Sequence, residues 1–239
     1  GYLLQNFGER SIPVLGIEPA SNVAEYAINR GIRTETKFFG LKTAQELASK
    51  CGKADLLIGN NVLAHVPNIN DFVSGMKEFL GPKGVITMEF PHLLRLVEGN
   101  QFDTIYHEHF SYLSFTTVEK IFKSHGLVPF DVEELRTHGG SIRIYARHME
   151  DVEKQVSQRV RTLLIEEETK GMSSLSFYSD FERKVKETKR RILEFLLEAK
   201  NNHKTIAGYG APGKGNTLLN YCGIRTDFID YTVDRNPHK

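Results

Sequence analysis

The chain has 239 residues, of which 40% are hydrophobic and 26% charged, with a formal net charge of +1. This length allows one large or two small domains, and the near-neutral balance gives no electrostatic footprint for nucleic acid or an anionic membrane. No apolar run approaches the roughly 18 residues that a membrane-spanning helix needs, and nothing in the first residues predicts a signal peptide. The two cysteines, Cys51 and Cys222, lie far apart, which predicts free thiols in a reducing cytoplasm.

The first part of the chain predicts strands that alternate with helices. Short apolar runs typical of buried strands cover residues 14–19, 54–58 and 84–89. Helices are predicted over residues 22–30, with Ser21 as cap and Gly31 as stop; from Asn70 or Asp71 to Leu80, closed by Gly81-Pro82; and from a capping box of Thr116 and Glu119 to Gly126. Strands over residues 127–135 and 141–147 follow at hairpin spacing. This order predicts a mainly parallel sheet covered on both faces, with one antiparallel strand at the end of the order.

The composition changes after residue 148. Charged residues dominate up to residue 203, and apolar residues at helical spacing predict two long amphipathic helices broken near residues 171–174. From Lys204 onward a strand over residues 204–207, a glycine-rich turn, a helix over 217–221 and a strand over 228–233 indicate the opening of a second α/β unit. We therefore divide the chain into domain 1–148, helical linker 149–203 and a further domain that starts at 204–239. Because the chain begins without Met and stops directly after a strand-like run, we expect a fragment.

The tetrapeptide Tyr106-His107-Glu108-His109 combines a phenol, two imidazoles and a carboxylate between largely aromatic or apolar flanks. Titratable groups in such a setting are either buried and paired or placed for chemistry. Imidazole exchanges a proton near neutral pH, and a neighbouring carboxylate can orient the ring, so acid–base chemistry is one interpretation. A structural histidine and a metal site, since His-x-His is a common ligand spacing, are the alternatives.

Polar side chains follow two of the predicted strands. An acid such as Glu18, at the tip of the second strand of a nucleotide-binding sheet, accepts hydrogen bonds from ribose hydroxyls, and Gly1 would then end the preceding glycine-rich turn. Asn60 and Asn61 end a later strand, which suits an adenosine-bearing ligand at the same edge. His65 lies just past that strand, where a ligand contact and a histidine paired to backbone are both open. An acid at a strand end is also often only a surface residue.

A second glycine-rich strand-to-helix turn covers residues 208–216. The spacing Gly208-x-Gly210-x-x-Gly213 matches the dinucleotide fingerprint, and Lys214 adds a positive charge. Glycines let backbone N–H groups approach phosphate oxygens at the start of a helix. The alternative is a tight turn without a ligand, and no Gly-Lys-Ser/Thr sequence of a P-loop is present.

Six segments in order, residues 15–19, 60–65, 89–92, 106–112, 137–141 and 208–216, together resemble the nucleotide-sugar C-methyltransferases. These enzymes use S-adenosylmethionine to methylate C3 of TDP-linked 4-keto deoxysugars. They contain an N-terminal zinc-binding domain, a central Rossmann-like methyltransferase domain and a C-terminal Rossmann-like domain. The resemblance runs over nearly the whole chain. It implies an α/β fold with a class I methyltransferase sheet, a helical linker and the start of a second Rossmann-like domain, with zinc bound only in an N-terminal domain that this chain lacks.

The resemblance also implies roles for single residues. His109 matches the base that removes the C3 proton, Glu108 and Tyr106 match its neighbours, and His65 matches a histidine that could polarise the keto oxygen. The positions that would hold S-adenosylmethionine are Gly1, Glu18, Pro19, Asn60 and Asn61. The positions that would face the nucleotide and phosphates of the sugar donor are His138, Ser141, Gly210, Lys214 and Asn216. No metal is expected in this part of the protein.

Two other functions remain open from the residues alone. A nicotinamide-dependent oxidoreductase would use the fingerprint at residues 208–213 and Asp234 at the next strand tip. A nucleotide-sugar-binding module would keep the fold without turnover. For the methyltransferase we expect a nucleotide-sugar substrate as the partner, with no nucleic acid and no membrane, while the oligomeric state does not follow from the sequence.

Overall fold

The computed structural model describes residues 2–236 of the chain. Up to residue 148 helices alternate with strands, which confirms the α/β class. The elements are α1 (Tyr2–Gly8), β1 (Gly16–Ile17), α2 (Ser21–Ile28), β2 (Thr34–Glu35), α3 (Leu41–Cys51), β3 (Ala54–Asn60), α4 (Ile69–Phe79), β4 (Leu80–Pro91), α5 (Leu93–Glu98), α6 (Phe115–Ser124), β5 (Leu127–Leu135) and β6 (Ser141–His148). Short 3₁₀ helices lie at Leu63–His65, Phe102–Thr104 and Thr137–Gly139.

The central sheet has the strand order β3-β4-β6-β5. Strands β3, β4 and β5 run in the same direction and β6 runs antiparallel to both β4 and β5, so the sheet is mainly parallel in strand direction with one antiparallel strand, as predicted. The antiparallel strand is the last of the four along the chain but does not lie at the edge of the sheet, because β6 inserts between β4 and β5. Ile142, Ile144 and Ala146 of β6 are fully buried, which an inner position satisfies better than an edge. Strands β1 and β2 form a separate parallel pair.

Two helix starts differ from the predicted caps. Helix α2 follows Ala20 and has no side-chain cap, so Ser21 is its first residue and does not cap it. Helix α6 is capped by Ser114, whose Oγ accepts the N–H of Thr117 at 3.1 Å, so the predicted box of Thr116 and Glu119 is wrong. At α6 the sequence offers several nearby hydroxyl residues, Ser114, Thr116 and Thr117, and residue type alone does not select the cap among them.

The start of α4 and its boundary with β4 also differ from the prediction. Asn68 caps α4 by accepting the N–H of Asp71 at 3.1 Å, two or three residues before the predicted start at Asn70 or Asp71. Strand β4 begins at Leu80, directly after the helix, and its first residue pairs with Ala54 of β3. Gly81 and Pro82 therefore lie inside a strand at a register shift and do not form the predicted helix-closing loop.

The second half forms two long helices and a small α/β unit. These elements are α7 (Gln158–Thr169), α8 (Leu175–Asn201), β7 (Ala207–Tyr209), α9 (Gly213–Cys222) and β8 (Tyr231–Val233). The break between α7 and α8 contains Gly171 at φ +76°, as the sequence predicts. Strands β7 and β8 are parallel but shorter than predicted, and α9 starts at Gly213 instead of residue 217. Half of the predicted glycine-rich loop is therefore the first turn of α9.

The hydrophobic core joins the sheet to α4, α6 and α7. Its fully buried members include Met76 of α4, Phe122 of α6 and Ile86 of β4, and Val160 and Leu163 of α7 belong to the same cluster. A second cluster lies between α3 and the end of α4, and a third joins α8 to α9. Among residues 2–236, no helix is both long and apolar enough to cross a membrane.

Candidate active site

The carboxyl end of β3 leads into a sharply turned segment. Asn60, the last residue of β3, pairs with Glu89 of β4 and is exposed. Asn61 then adopts φ +55°, a left-handed conformation that non-glycine residues rarely take, and donates its backbone N–H to the Glu89 carbonyl at 2.7 Å. This turn starts the 3₁₀ helix Leu63–His65, which ends with the half-buried His65 at the sheet edge.

The loop before α6 is fastened to that 3₁₀ helix. Phe110 and Ser111 both donate their backbone N–H to the carbonyl of Ala64, at 2.8 and 3.3 Å. His109 and His65 are consequently neighbours, with ring centroids 4.7 Å apart and an interplanar angle of 72°. The two histidines that the sequence places 44 positions apart therefore form one cluster.

Two phenols complete the cluster around His109. The ring centroid of Tyr106 lies 4.4 Å from that of His109 and the centroid of Tyr112 lies 5.8 Å away. Burial raises the pKa of Tyr106, and the nearby carboxylates of Glu108 and Asp103 add to the effect. Burial also raises the pKa of Tyr112. Both phenols therefore stay protonated near neutral pH and keep their O–H groups for donation.

The tautomer of His109 follows from one hydrogen bond. Its Nδ1 lies 2.8 Å from the backbone carbonyl of Thr104, which can only accept, so Nδ1 carries the proton and Nε2 keeps its lone pair. Burial lowers the pKa of His109, opposed by the Thr104 carbonyl and Glu108, while His65 and Lys214 lower it further. His109 is therefore a neutral imidazole at pH 7 with one available acceptor nitrogen.

The other two members of the tetrapeptide face solvent. His107 and Glu108 are exposed, and Glu108 acts on His109 through its charge. Over residues 2–236, no group of three or more His, Cys, Asp or Glu side chains is arranged to hold a metal ion.

The turn between β5 and β6 lies against the end of β3. Nδ2 of Asn61 is 3.1 Å from Nε2 of His138, so a predicted cofactor residue and a predicted substrate residue are in contact. His138, Gly139 and Gly140 all have positive φ, at +54°, +84° and +124°. Gln101 donates to the Gly139 carbonyl at 2.6 Å, and a Cβ at Gly139 would lie 2.6 Å from that amide, so glycine is required there.

Below this turn lies a polar group that the sequence analysis missed. Glu89 is 6% exposed, and its carboxylate accepts from Arg143 at 2.6 Å and from the Thr137 hydroxyl at 3.0 Å. Glu89 and Arg143 face each other across β4 and β6, so only the strand register could have revealed the pair. Ser141 is 1% exposed and donates to the Thr137 carbonyl at 3.0 Å, which assigns its hydroxyl to the turn itself.

The predicted cofactor positions on β1 lie in a local loop. Glu18 follows β1, is half-buried, and uses Oε1 to accept the N–H of Ala20 at 2.9 Å. Pro19 next to it is exposed in a bend. Gly1 lies outside the described residues.

The glycine-rich turn approaches the His109 cluster. Gly210 has φ +91°, a conformation that favours glycine, and donates its N–H to the Val233 carbonyl at 2.7 Å. Lys214 is half-buried in the first turn of α9, close enough to His109 to lower its pKa, while Asn216 is exposed. Asp234 accepts the N–H of Ala211 at 2.7 Å and so fastens the turn to the end of β8.

Family models match both halves of the chain. The family model described as "Methyltransferase domain" matches residues 1–132, more than half of the chain. The family model described as "C-methyltransferase C-terminal domain" matches residues 136–239. The chain belongs to the S-adenosylmethionine-dependent C-methyltransferase family. This confirms the resemblance drawn from the six sequence segments, and S-adenosylmethionine is the family's cofactor.

A curated relative of this C-methyltransferase chain is longer than the chain itself. The C-methyltransferase NovU of Streptomyces niveus is 36% identical over 234 residues, which are 98% of this chain and 56% of NovU. The chain thus spans about half the length of that relative. Among solved structures, the PH0226 protein from Pyrococcus horikoshii OT3 has a TM-score of 0.48 at 17% identity, covering 62% of this chain and 75% of its own. A methyltransferase from Clostridium acetobutylicum ATCC 824 has a TM-score of 0.47 at 10% identity, covering 62% and 80%.

Proposed function

We propose that the protein methylates C3 of a nucleotide-linked 4-keto deoxysugar, with His109 as the base that removes the C3 proton. The observation that carries this proposal is the bond from Nδ1 of His109 to the Thr104 carbonyl, because it leaves Nε2 as a proton acceptor. A carbon next to a ketone is a poor nucleophile until a base removes its proton. Methylation of carbon therefore needs a positioned base, which an oxygen or nitrogen acceptor would need much less.

The second requirement is a donor for the developing enolate oxygen. His65 and Tyr106 both lie within ring contact of His109, and the raised pKa of Tyr106 keeps its hydroxyl protonated. Either group can donate a hydrogen bond to the keto oxygen as negative charge moves onto it. The base that removes the proton and the group that donates a hydrogen bond to the oxyanion then lie next to each other on the same side of the substrate.

The end of β3 fits the cofactor. Oδ1 of Asn61 is buried and has no hydrogen-bond partner within the described residues, although its amide nitrogen is bonded to His138. A buried amide oxygen without a donor is costly, so a ligand donor at this point would satisfy it. Asn60, Asn61, Glu18 and Pro19 would hold S-adenosylmethionine, together with Gly1. When bound, this cofactor supplies an electrophilic methyl group on a sulfonium.

The nucleotide end of the substrate would lie toward the second half of the chain. We assign it to His138, Ser141 and the turn with Gly210, Lys214 and Asn216, because that turn combines a helix start with a positive charge. Ser141 would act by shaping the turn, since its hydroxyl is bonded to Thr137. We also propose domain borders at 148/149 and 203/204.

We further propose a cytoplasmic location, in keeping with the free thiols of Cys51 and Cys222.

Solvent deuterium exchange at C3 tests the proposal without any cofactor. The full-length protein is incubated with a TDP-linked 4-keto deoxysugar in D₂O, and deuterium at C3 is followed by NMR. We expect exchange in the native protein, loss of exchange in His109→Asn, and slowed exchange in His65→Asn.

Two results would change the proposal. Exchange that survives in His109→Asn but disappears in His65→Asn would transfer the base role to His65. Binding of the sugar nucleotide with no exchange at C3 in the native protein would contradict carbon methylation at that position.

A further inference from the structure

The 3₁₀ helix Phe102–Thr104 touches the His109 cluster on one side and the C-terminal helices on the other. The Thr104 carbonyl accepts from Nδ1 of His109 at 2.8 Å. The ring of Phe102, in the same turn of chain, lies 5.1 Å from the ring of Tyr221 on α9, at an angle of 60°. One short turn therefore links a ring of α9 to the atom that orients the base.

This turn is buried and is held by its own backbone hydrogen bonds. Phe102 and Thr104 are 7% and 3% exposed. The backbone N–H of Thr104 bonds to the Gln101 carbonyl at 3.2 Å, and the N–H of Ile105 bonds to the Phe102 carbonyl at 3.0 Å. The aromatic ring and the carbonyl thus belong to a single buried unit whose parts move together.

Tyr221 is itself fixed by α8. Lys189 donates to the Tyr221 carbonyl at 2.8 Å, and its ammonium lies 5.2 Å from the Tyr221 ring centroid. Nδ2 of Asn100, just before the 3₁₀ helix, donates to the Thr188 hydroxyl of α8 at 2.9 Å. Helices α8 and α9 therefore both hold the segment that carries Thr104.

We propose that Tyr221 is a positioning residue for His109, acting through Phe102 and the Thr104 carbonyl. This proposal rests on the proposed function, in which His109 is the base. The region assigned to the nucleotide end of the substrate would then also fix the tautomer of the base. Docking of α9 against the first domain would be required for proton abstraction as well as for substrate binding.

The chemical reason lies in the two neutral forms of imidazole. With Thr104 in place, the proton stays on Nδ1 and Nε2 accepts. When the Tyr221 ring is removed, the Phe102 turn loses its support and the Thr104 carbonyl moves away from Nδ1. His109 then populates the form with the proton on Nε2, and that form cannot accept the substrate proton at the same position. The charge of Lys214, on the same helix, adds a further dependence of His109 on α9.

Imidazole ¹⁵N NMR of the full-length protein tests the geometry directly. Histidine is ¹⁵N-labelled, and the His109 signals are identified by their absence in His109→Asn. We expect His109 as the single Nδ1-protonated form in the native protein and a mixture of both neutral forms in Tyr221→Ala. Tyr221→Phe, which keeps the ring, should restore the native form. If Tyr221→Ala does not fold, Tyr221→Leu keeps apolar volume without the ring and gives the same comparison.

Kinetics separates positioning from docking. We expect Tyr221→Ala to lower kcat by roughly ten- to hundredfold, the cost of misplacing a catalytic group, while the affinity for S-adenosylmethionine stays unchanged. The matched control is Tyr231→Ala, which removes an exposed ring of the same size from β8 of the same unit. This control should leave both kcat and the His109 tautomer as they are.

Three outcomes would overturn the proposal. They are an unchanged His109 tautomer in Tyr221→Ala, a Tyr221→Phe variant as impaired as Tyr221→Ala, and a change confined to the KM of the sugar nucleotide. Failure of the proposed function would look different, because the native protein would then show no exchange at C3. The tautomer measurement would still report on the contact between Tyr221 and the 3₁₀ helix Phe102–Thr104.

Discussion

Two histidine regions of this molecule differ in what surrounds the ring. His92, after β4, is fully buried, and its Nε2 lies 2.6 Å from Oε1 of Glu167 on α7. Glu167 is 1% exposed and also accepts the backbone N–H groups of Phe115 and Thr116 at 2.6 and 2.8 Å. Burial alone would raise the pKa of Glu167, but the hydrogen bonds from His92 and Thr116 outweigh it and the pKa is lowered.

His109 has the opposite environment. It is half-buried, one ring nitrogen is fixed by a backbone carbonyl, and its carboxylate neighbour Glu108 is exposed. The comparison shows that a histidine beside a carboxylate is not by itself a catalytic signal. At His92 the carboxylate is used to start α6 and to attach α7, and substrate has no access. At His109 the backbone takes the orienting role and leaves one nitrogen open to the sheet edge.

The largest expected effect on activity comes from His109→Asn. Loss of the proton acceptor should reduce turnover by about two to four orders of magnitude, the usual contribution of a positioned base. The free energy of unfolding should change little, because Asn can also donate to the Thr104 carbonyl. Methylation assays and urea denaturation measure the two quantities. The matched control is His107→Asn, an exposed neighbour whose replacement should leave turnover unchanged.

Glu167→Ala should give the reverse result. Removal of this carboxylate leaves His92, two backbone N–H groups and the Thr116 hydroxyl without their acceptor in a buried site. Breaking a buried pair in this way costs about 3–5 kcal/mol in the free energy of unfolding. Urea denaturation should show this loss, while Glu168→Ala, an exposed neighbour on α7, should be nearly neutral. Equal stability of the two variants would contradict a structural role for Glu167.

Local patterns in the sequence predicted part of this arrangement. The strand over residues 127–135 has the same bounds in the structure, because Gly126 and the glycine turn limit it on both sides. His109 and His65 were candidates from residue type and position after strands. The cap of α6 was misassigned among adjacent hydroxyl residues, and the carboxylate that completes this helix start comes from Glu167, about 50 residues further along the chain.

Other parts of the site had no signal that a single sequence could carry. The atom of Thr104 that orients His109 is a backbone carbonyl, which every residue type possesses. The contact of Asn61 with His138 joins positions 77 residues apart, and the pairing of His92 with Glu167 joins positions 75 apart. Such pairings depend on strand register and helix docking, which the local pattern does not determine.

Glu18 offers a third carboxylate that sharpens the contrast between structural and functional roles. One of its oxygens accepts the N–H of Ala20, a hydrogen bond that a purely local turn residue also makes. If it also holds the ribose of S-adenosylmethionine, Glu18→Ala should weaken cofactor binding by about 1–3 kcal/mol, as loss of charge-assisted hydrogen bonds does. Calorimetry measures this change. The matched control is Asp71→Ala, which removes a carboxylate that accepts the first N–H of α3 and should leave cofactor affinity intact.

The smallest expected effect is a shift in the pKa of His109, in opposite directions for two charges. Lys214 lowers that pKa and Glu108 raises it, so Lys214→Gln should raise it and Glu108→Gln should lower it further. Because the neutral imidazole is the active form, activity is lost as the pH falls through this pKa. The acid limb should therefore move to higher pH in Lys214→Gln and to lower pH in Glu108→Gln, and both shifts should shrink at high salt. An NMR titration of His109 in the free protein measures this pKa without any effect on substrate binding. The matched control is Lys204→Gln, which removes an equal charge from an exposed position before β7.

Shifts of the His109 pKa with the same sign in Lys214→Gln and Glu108→Gln would mean that a change of packing, and not the charge, controls the base.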